Sequence, residues 1–417
     1  MNKNDKQQIN FEQNEENQRK KLLYVWYSLC FSAGSKTAKK IYMSFNGDIE
    51  KIYNATESEY SFEKYKRIGK SSKKLCDKDL FEAHKTLYDC KRFGVEILTY
   101  QDSLYPESLK QLEDSPVVLY YKGSFEKLSQ NKFLLGAVGT RNASQSASDK
   151  AYQICSEIAQ SGGIIVTGLA KGIDTVCIRA AIDNGYFGIG VLGTSIEKIY
   201  PSQNKDVFDY MAKNGLIISE YPPLTYTTAS SFALRNRIIS GLSVALAVFE
   251  AGETSGSMLT ADFARKQGKG IFAIPGSPDD VNKSGCNLLI KNGAWLLTSG
   301  DDIISKFGQY FLQKQTKATE LTQNNSSPKP QQAQQKAAEK EEQIEEQIEP
   351  CLFDEQYDDL TQSERAVLAC FKDQPLHSDE ISVSGLGTRD ILSTLTMLEI
   401  KDYICSLPGG RFAKNVK

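Results

Sequence analysis

Seven short apolar runs recur between residues 130 and 307: FLLGAVG, GIIVTG, FGIGVLG, GLIISE, SVALAVFE, GIFAIPG and AWLLTS. Each is bounded by Gly, Ser or Thr, and helical patterns such as SDKAYQICSEIAQSG and SMLTADFARKQGKG lie between several of them. A short strand with no polar face is buried on both sides. Strands of this kind alternating with helices imply a mainly parallel sheet covered on both faces. The expected fold class is therefore α/β, an extended Rossmann-like, doubly wound sheet of about seven strands with right-handed crossovers. Its ligand site should lie at the carboxyl ends of the strands.

The flanking sequence changes character four times. Residues 1–20 are polar and rich in Asn, Gln and Lys, the composition of a disordered tail. Residues 21–125 read as a helical domain with connecting strands. LLYVWYSLC carries an apolar face, DLFEAHKTLYDCKRFG has helical spacing and stops at Gly94, and VEILTY and DSPVVLYYKG are short strands. Residues 126–311 hold the sheet. Residues 312–357 form an acidic, Gln-rich linker that includes EKEEQIEEQIEP at 339–350. Residues 358–417 begin with a capping box, Thr361 with Glu364. SDEISVSG and TRDILSTLTMLEIKDYI then read as helices and SLPGGRFAK as a hairpin, the order of a winged helix.

Composition narrows the chemistry. The 417 residues carry 50 Lys and Arg against 52 Asp and Glu, a net charge of −2. That is not the balance of a strongly basic nucleic-acid binder, but a local basic crevice remains compatible with it. Two histidines, His84 and His377, stand far apart, and the nine cysteines contain no CxxC pair. A His-based zinc site or a Ser-His-Asp triad is not expected, and the cysteines read as reduced thiols of a cytoplasmic protein. No run approaches the ~18 apolar residues of a membrane span, and the first twenty residues lack an apolar signal core.

The strand ends carry the informative residues. GAVGTR places Arg141 at the mouth of the sheet, just before a helix that begins near Ser144 or Ser146. A helix N-terminus beside a guanidinium suits a phosphate, although a tight turn with a solvated Arg reads the same way. TGLAKGID brings Lys171 toward the same crevice, with Asp174 capping a helix or holding a loop. SFALRNRIISGLS sets Arg235, Asn236 and Arg237 at the expected start of a helix, as an anion site or as arginines holding carboxylates such as Glu220 or Glu250. EAGETSGSMLTADFA puts Gly256, Ser257 and Thr260 at another helix start, where N–H groups and hydroxyls can cradle a phosphate. Cys286, in KSGCNLLIKNGA, has no His near it in sequence and reads as packing. Several separate anion sites without paired carboxylates, an activated nucleophile or a metal cluster suit a polyanionic strand. Tyr221, Tyr226 and Phe232 lie close enough in sequence to stack on bases, though Phe232 also suits the core.

These strings, in this order and spacing, resemble the bacterial DNA-processing protein A (DprA/Smf) family. The resemblance spans residues 22–307 and, more loosely, 358–412. It rests on GAVGTRNAS, SGGIIVTGLAKGIDT, GVLGTSIEKIYPSQN, ISEYPP, FALRNRIISGLS, EAGETSGSMLTADFA, FAIPGS and GCNLLIKNGAWLLTS, with LTQSERAVL and LPGGRF in the last domain. It implies a SAM-like helical domain, a Rossmann-like core that binds single-stranded DNA and forms a homodimer, and a winged helix. It further implies natural transformation as the setting, with loading of the RecA recombinase against the single-stranded-DNA-binding protein, and no catalysis, cofactor, metal or membrane. Carried over, the DNA pocket falls on Arg141, Lys171, Arg235, Asn236, Arg237, Gly256, Ser257 and Thr260. Two departures stand out. The family's Ala-His pair after GID is here Cys177 and Ile178. The Gly-Ile-Gly hairpin of the helical domain reads SAGSKTA, with Gly34 alone, which argues against a helix-hairpin-helix contact with DNA. The alternative function is a nucleotide-binding or nucleotide-hydrolysing enzyme using the same crevice, with Glu220, Glu250 or Glu253 as its acid.

Overall fold

The computed structural model describes residues 3–60, 69–128, 132–311, 360–371, 374–383, 386–400, 403–407 and 411–414. They fall in two units, Met1–Leu312 and Gln313–Lys417. The first unit is built on one nine-stranded sheet. Its strands are β1 (Glu96–Thr99), β2 (Val118–Gly123), β3 (Leu134–Val138), β4 (Ile164–Thr167), β5 (Gly188–Leu192), β6 (Leu216–Ser219), β7 (Ala245–Val248), β8 (Gly270–Ala273) and β9 (Trp295–Leu296). Their order is β1-β2-β6-β5-β4-β3-β7-β8-β9. All seven expected core strands form, and β6 through β9 pair parallel in that spatial order. β1 and β2 add an antiparallel edge beyond β6.

Helices of this unit are α1 (Lys3–Leu29), α2 (Lys36–Ser44), α3 (Ile49–Asn54), α4 (Gly69–Asp77), α5 (Phe81–Phe93), α6 (Glu107–Lys110) and α7 (Gln145–Gln160). They continue as α8 (Ile173–Ile182), α9 (Lys205–Asn214), α10 (Ala229–Leu242), α11 (Gly256–Lys266), α12 (Ser284–Lys291), α13 (Gly300–Lys306) and α14 (Gly308–Phe311). Alternate residues of one strand serve opposite faces, as the two-residue period requires. Ala245 and Ala247 pack with α7, α8 and α13, whereas Leu246 and Val248 pack with α10, α11 and α12. The helical N-terminus does not bury a core of its own. Leu23, Trp26 and Ile41 share one cluster with Tyr120 and Ile217 of the sheet and with Val207 of α9. Gly94 ends α5 with φ +59°, the left-handed stop read from its position.

One difference lies at the start. Helix α1 begins at Lys3, inside the segment expected as a tail. Its Glu, Gln and Lys residues are good helix formers, and the apolar turns from Leu23 onward, buried against the sheet, hold the helix in place. The described part of the second unit holds α15 (Gln362–Ala369), β10 (Leu376–His377), α16 (Thr388–Ile400), β11 (Ile404–Leu407) and β12 (Arg411–Lys414). The strands form one sheet in the order β10-β12-β11. The capping box of Thr361 and Glu364 is present. SDEISVSG, expected as a helix, shows only a 3₁₀ turn over Ser378–Glu380 among its described residues. Its serines and β-branched Ile381 and Val383 are weak helix formers.

Candidate functional site

The chain builds β3 to β6 in one direction, then crosses to the other side of β3 to lay down β7. In a doubly wound sheet that reversal opens a crevice at the carboxyl ends of the two neighbouring strands. Here the crevice lies between β3 and β7. The loops around it interlock through their backbones. Thr140 N–H donates to the Glu250 carbonyl at 2.7 Å, and Ser144 N–H donates to Glu250 Oε2 at 2.8 Å. Ile173 N–H donates to the Thr140 carbonyl at 3.2 Å. Gly172, with φ +85°, makes this approach possible: a Cβ there would lie 2.4 Å from the Thr140 oxygen. The side chains of Arg141 and Lys171 are left exposed on two adjoining loops. Beside them, α11 opens with Ser255, whose hydroxyl accepts from Ser257 N–H at 3.3 Å. Gly256 is exposed, with no other atom within 4 Å of where a Cβ would stand. Ser257 and Thr260 are buried behind it.

Helix α10 departs from expectation. It begins at Ala229, so Arg235, Asn236 and Arg237 lie in its second and third turns and receive no help from the helix N-terminus. Arg235 is buried. Its Nη1 donates to the Gly168 carbonyl at 2.8 Å and to the Val191 carbonyl, and its Nε donates to Asn236 Oδ1 at 3.2 Å. It therefore ties the ends of β4 and β5 together from below. Gly168 has to be glycine for this, because a Cβ would stand 2.4 Å from the guanidinium. Asp174 Oδ2 accepts from Gly168 N–H at 2.9 Å and completes the knot. Burial pushes the Asp174 carboxyl up to about 6, against the pull of Arg235 and Arg141. Burial also brings Arg235 down to about 10, opposed by Asp174. Asn236 is half-buried, and its Nδ2 donates to the Gly256 carbonyl at 3.4 Å, linking α10 to the start of α11.

Arg237 belongs to a different place. It is fully buried, donating through Nη2 to both Glu220 oxygens at 2.9 and 2.7 Å, with Asp114 Oδ2 3.2 Å from its Nε. Burial alone would lower it, but the two carboxylates outweigh burial and hold the guanidinium more firmly charged. Gly34 N–H donates to Glu220 Oε1 at 3.0 Å. The lone glycine of SAGSKTA thus docks the N-terminal helices onto Glu220, just past β6, and against Leu234 and Arg237 of α10. Of the eight residues expected in one pocket, the structure exposes Arg141, Lys171 and Gly256. It half-buries Asn236 and buries Arg235, Arg237, Ser257 and Thr260. The carboxylate-holding alternative is the one that describes Arg237. Ser255 was missed, although a Ser directly before a helix-opening Gly is a cap signal.

Residues 96–308 match the family described as DNA recombination-mediator protein A, and residues 353–410 match its winged helix domain, described as the DprA winged helix domain. The chain belongs to this family. It is 33% identical to Protein Smf of Synechocystis over 322 residues, covering 76% of this chain and 80% of the relative. It is 40% identical to DNA processing protein DprA of Streptococcus pneumoniae over 206 residues, covering 49% and 72%. The X-ray structure of DprA from S. pneumoniae superposes with a TM-score of 0.59 at 29% identity, covering 68% of this chain and 96% of that one. Against the family pattern, Cys177 and Ile178 are fully buried packing residues here. Cys286 is buried as well, its thiol pushed up to about 11 by burial, which suits packing and not a nucleophile. Among the described residues no helix is long and apolar enough to cross a membrane.

Proposed function

We propose that this chain binds single-stranded DNA at the carboxyl edge of its sheet and passes the strand to the RecA recombinase in the cytoplasm. The observation that carries this reading is the pairing of exposed Arg141 and Lys171 with the open, Ser255-capped start of α11. Two solvent-facing cations on adjoining loops near a helix N-terminus can take successive phosphates without reading bases. The buried Arg235–Asp174–Gly168 knot fixes the loops that present them. Of the three carboxylates a nucleotide-cleaving enzyme would use, Glu220 is committed to Arg237 and Glu250 to Ser144, which leaves Glu253, exposed in the loop before α11. The same proposal includes displacement of the single-stranded-DNA-binding protein and a role in natural transformation.

The same reading includes a homodimer through the Rossmann-like domain. β9 pairs only with β8 among the described strands, and Leu288, Trp295 and Leu296 are exposed at this edge. A Leu288→Glu substitution should shift sedimentation toward the monomer. A wild type that sediments as a monomer at micromolar concentration overturns this part.

The central test is anisotropy of a labelled dT oligonucleotide across a salt series, with a duplex competitor. Arg141→Ala with Lys171→Ala should weaken binding by about 100-fold or more, since it removes two charge-assisted hydrogen bonds to phosphate. It should also flatten the salt dependence by about 0.7 in log–log slope for each phosphate that the variant no longer neutralises. Unchanged affinity in this variant overturns the crevice as the DNA site.

A further inference from the structure

The loops after β5 and β6 reach the same sheet edge as the crevice, yet the phosphate site does not use them. They carry three exposed apolar side chains: Tyr200 at 48%, Leu224 at 58% and Tyr226 at 88% exposure. The loops are fastened together and onto α10. Ser219 Oγ donates to the Thr194 carbonyl at 2.7 Å, and Glu197 Oε1 accepts from Leu224 N–H at 3.0 Å. Ser195 Oγ donates to the same Glu197 oxygen at 2.9 Å. The Tyr200 ring lies 5.3 Å from the ring of Phe232, centroid to centroid. Gly193 rests against the Phe232 backbone, where a Cβ would come within 2.7 Å of its Cα. Leu224 is held at φ +62°, a conformation that a branched apolar residue adopts only when its surroundings impose it. Thus an organised pair of loops holds apolar and aromatic groups out in water.

We infer that Tyr200, Leu224 and Tyr226 form a ledge on which bases of the bound single strand rest as it leaves the phosphate crevice. This rests on the reading given under Proposed function. Continuity and charge identify the occupant. Phe232, which backs Tyr200, stands one helical turn before Asn236, the residue that reaches the start of α11. The exposed Lys198 lies two residues before Tyr200 and can meet a phosphate there. Every base offers a π-face, so an aromatic ledge beside cations adds affinity without sequence preference.

The full chain should be tested by anisotropy with two labelled strands of equal length, one of dT and one of abasic phosphodiester. The wild type should prefer dT by about tenfold or more. Tyr200→Ala with Tyr226→Ala should lower dT affinity toward the abasic value, with the abasic affinity and the salt slope unchanged. Tyr226→Phe should keep the preference. Both tyrosines are exposed, and retention of abasic binding reports an intact fold. A wild type that binds both strands equally overturns the ledge and leaves the crevice standing. A double variant that keeps the wild-type preference also overturns it, and assigns the apolar patch to a protein partner instead. Loss of both strands in Arg141→Ala with Lys171→Ala tests the crevice separately.

Discussion

Two pairs of cations lie within one α/β unit, and they have opposite fates. Arg141 and Lys171 stand on separate strand-end loops, exposed. Arg235 and Arg237 stand side by side in α10, both buried. In sequence the second pair looks the stronger anion site, because two guanidiniums flank an amide. In the structure every residue type is the same, but the side chains of α10 face inward. Arg235 spends donors on strand-end carbonyls, and the charge of Arg237 is met by Glu220 and Asp114. A cluster of cations is therefore evidence for a ligand only where nothing in the fold already meets its charge. In this chain Arg235 braces the strand ends, and Arg237 pairs with the carboxylate that Gly34 of the N-terminal helices also meets.

The largest effect that would break this division concerns Arg237. Arg237→Ala leaves Glu220 and Asp114 facing each other without a counter-charge in a buried site. The stability loss should be about 3–5 kcal/mol, as for other buried pairs opened from one side. A urea midpoint measures it. At a temperature where the variant stays folded, its dT affinity should match the wild type. An Arg237→Ala protein of normal stability that no longer binds DNA would move Arg237 into the interface and cancel the contrast. The exposed pair should behave in the reverse way. Arg141→Ala with Lys171→Ala should change stability by no more than about 0.5 kcal/mol per site while losing most of the DNA affinity.

Much of the scaffold was legible, and the reason is local. β3 to β9 announced themselves because each is short, apolar on both faces and closed by small residues. Gly94 and the Thr361–Glu364 box were readable because their partners lie within a few residues. Arg141, Lys171 and the α11 start followed from strand-to-helix junctions alone. What escaped was set by distant contacts. Glu220 was among the carboxylates offered to these arginines, but Arg237 also meets Asp114, and Gly34 meets Glu220 across 186 residues. No window of sequence holds those partners together. The start of α10 was misplaced for a related reason. Thr228 makes no side-chain capping bond there, so the helix opens through ASSF without a strong signal. The helical reading of SDEISVSG did not hold over its described residues, because a serine-rich stretch favours caps and turns.

The smallest effect probes Asp174, which lies between the two pairs and feels both Arg235 and Arg141. Its folded-state pKa of about 6 stands above the 3.8 of an ordinary aspartate. The folded protein therefore holds this proton more tightly than the unfolded chain does. The contribution of Asp174 is complete below about pH 4 and is lost as the pH rises through about 6. Between about pH 7.5 and 5.5 this group alone should add about 1 kcal/mol of stability. Asp174→Asn keeps an acceptor for the Gly168 N–H but cannot take up the proton. The difference between wild type and variant in denaturation midpoint should accordingly widen in favour of the wild type as the pH falls across that interval. Parallel pH profiles would mean that Asp174 stays ionised. The attraction of Arg235 and Arg141 would then outweigh burial across that interval, and the carboxylate under the crevice would be held as firmly charged as the site of Arg237.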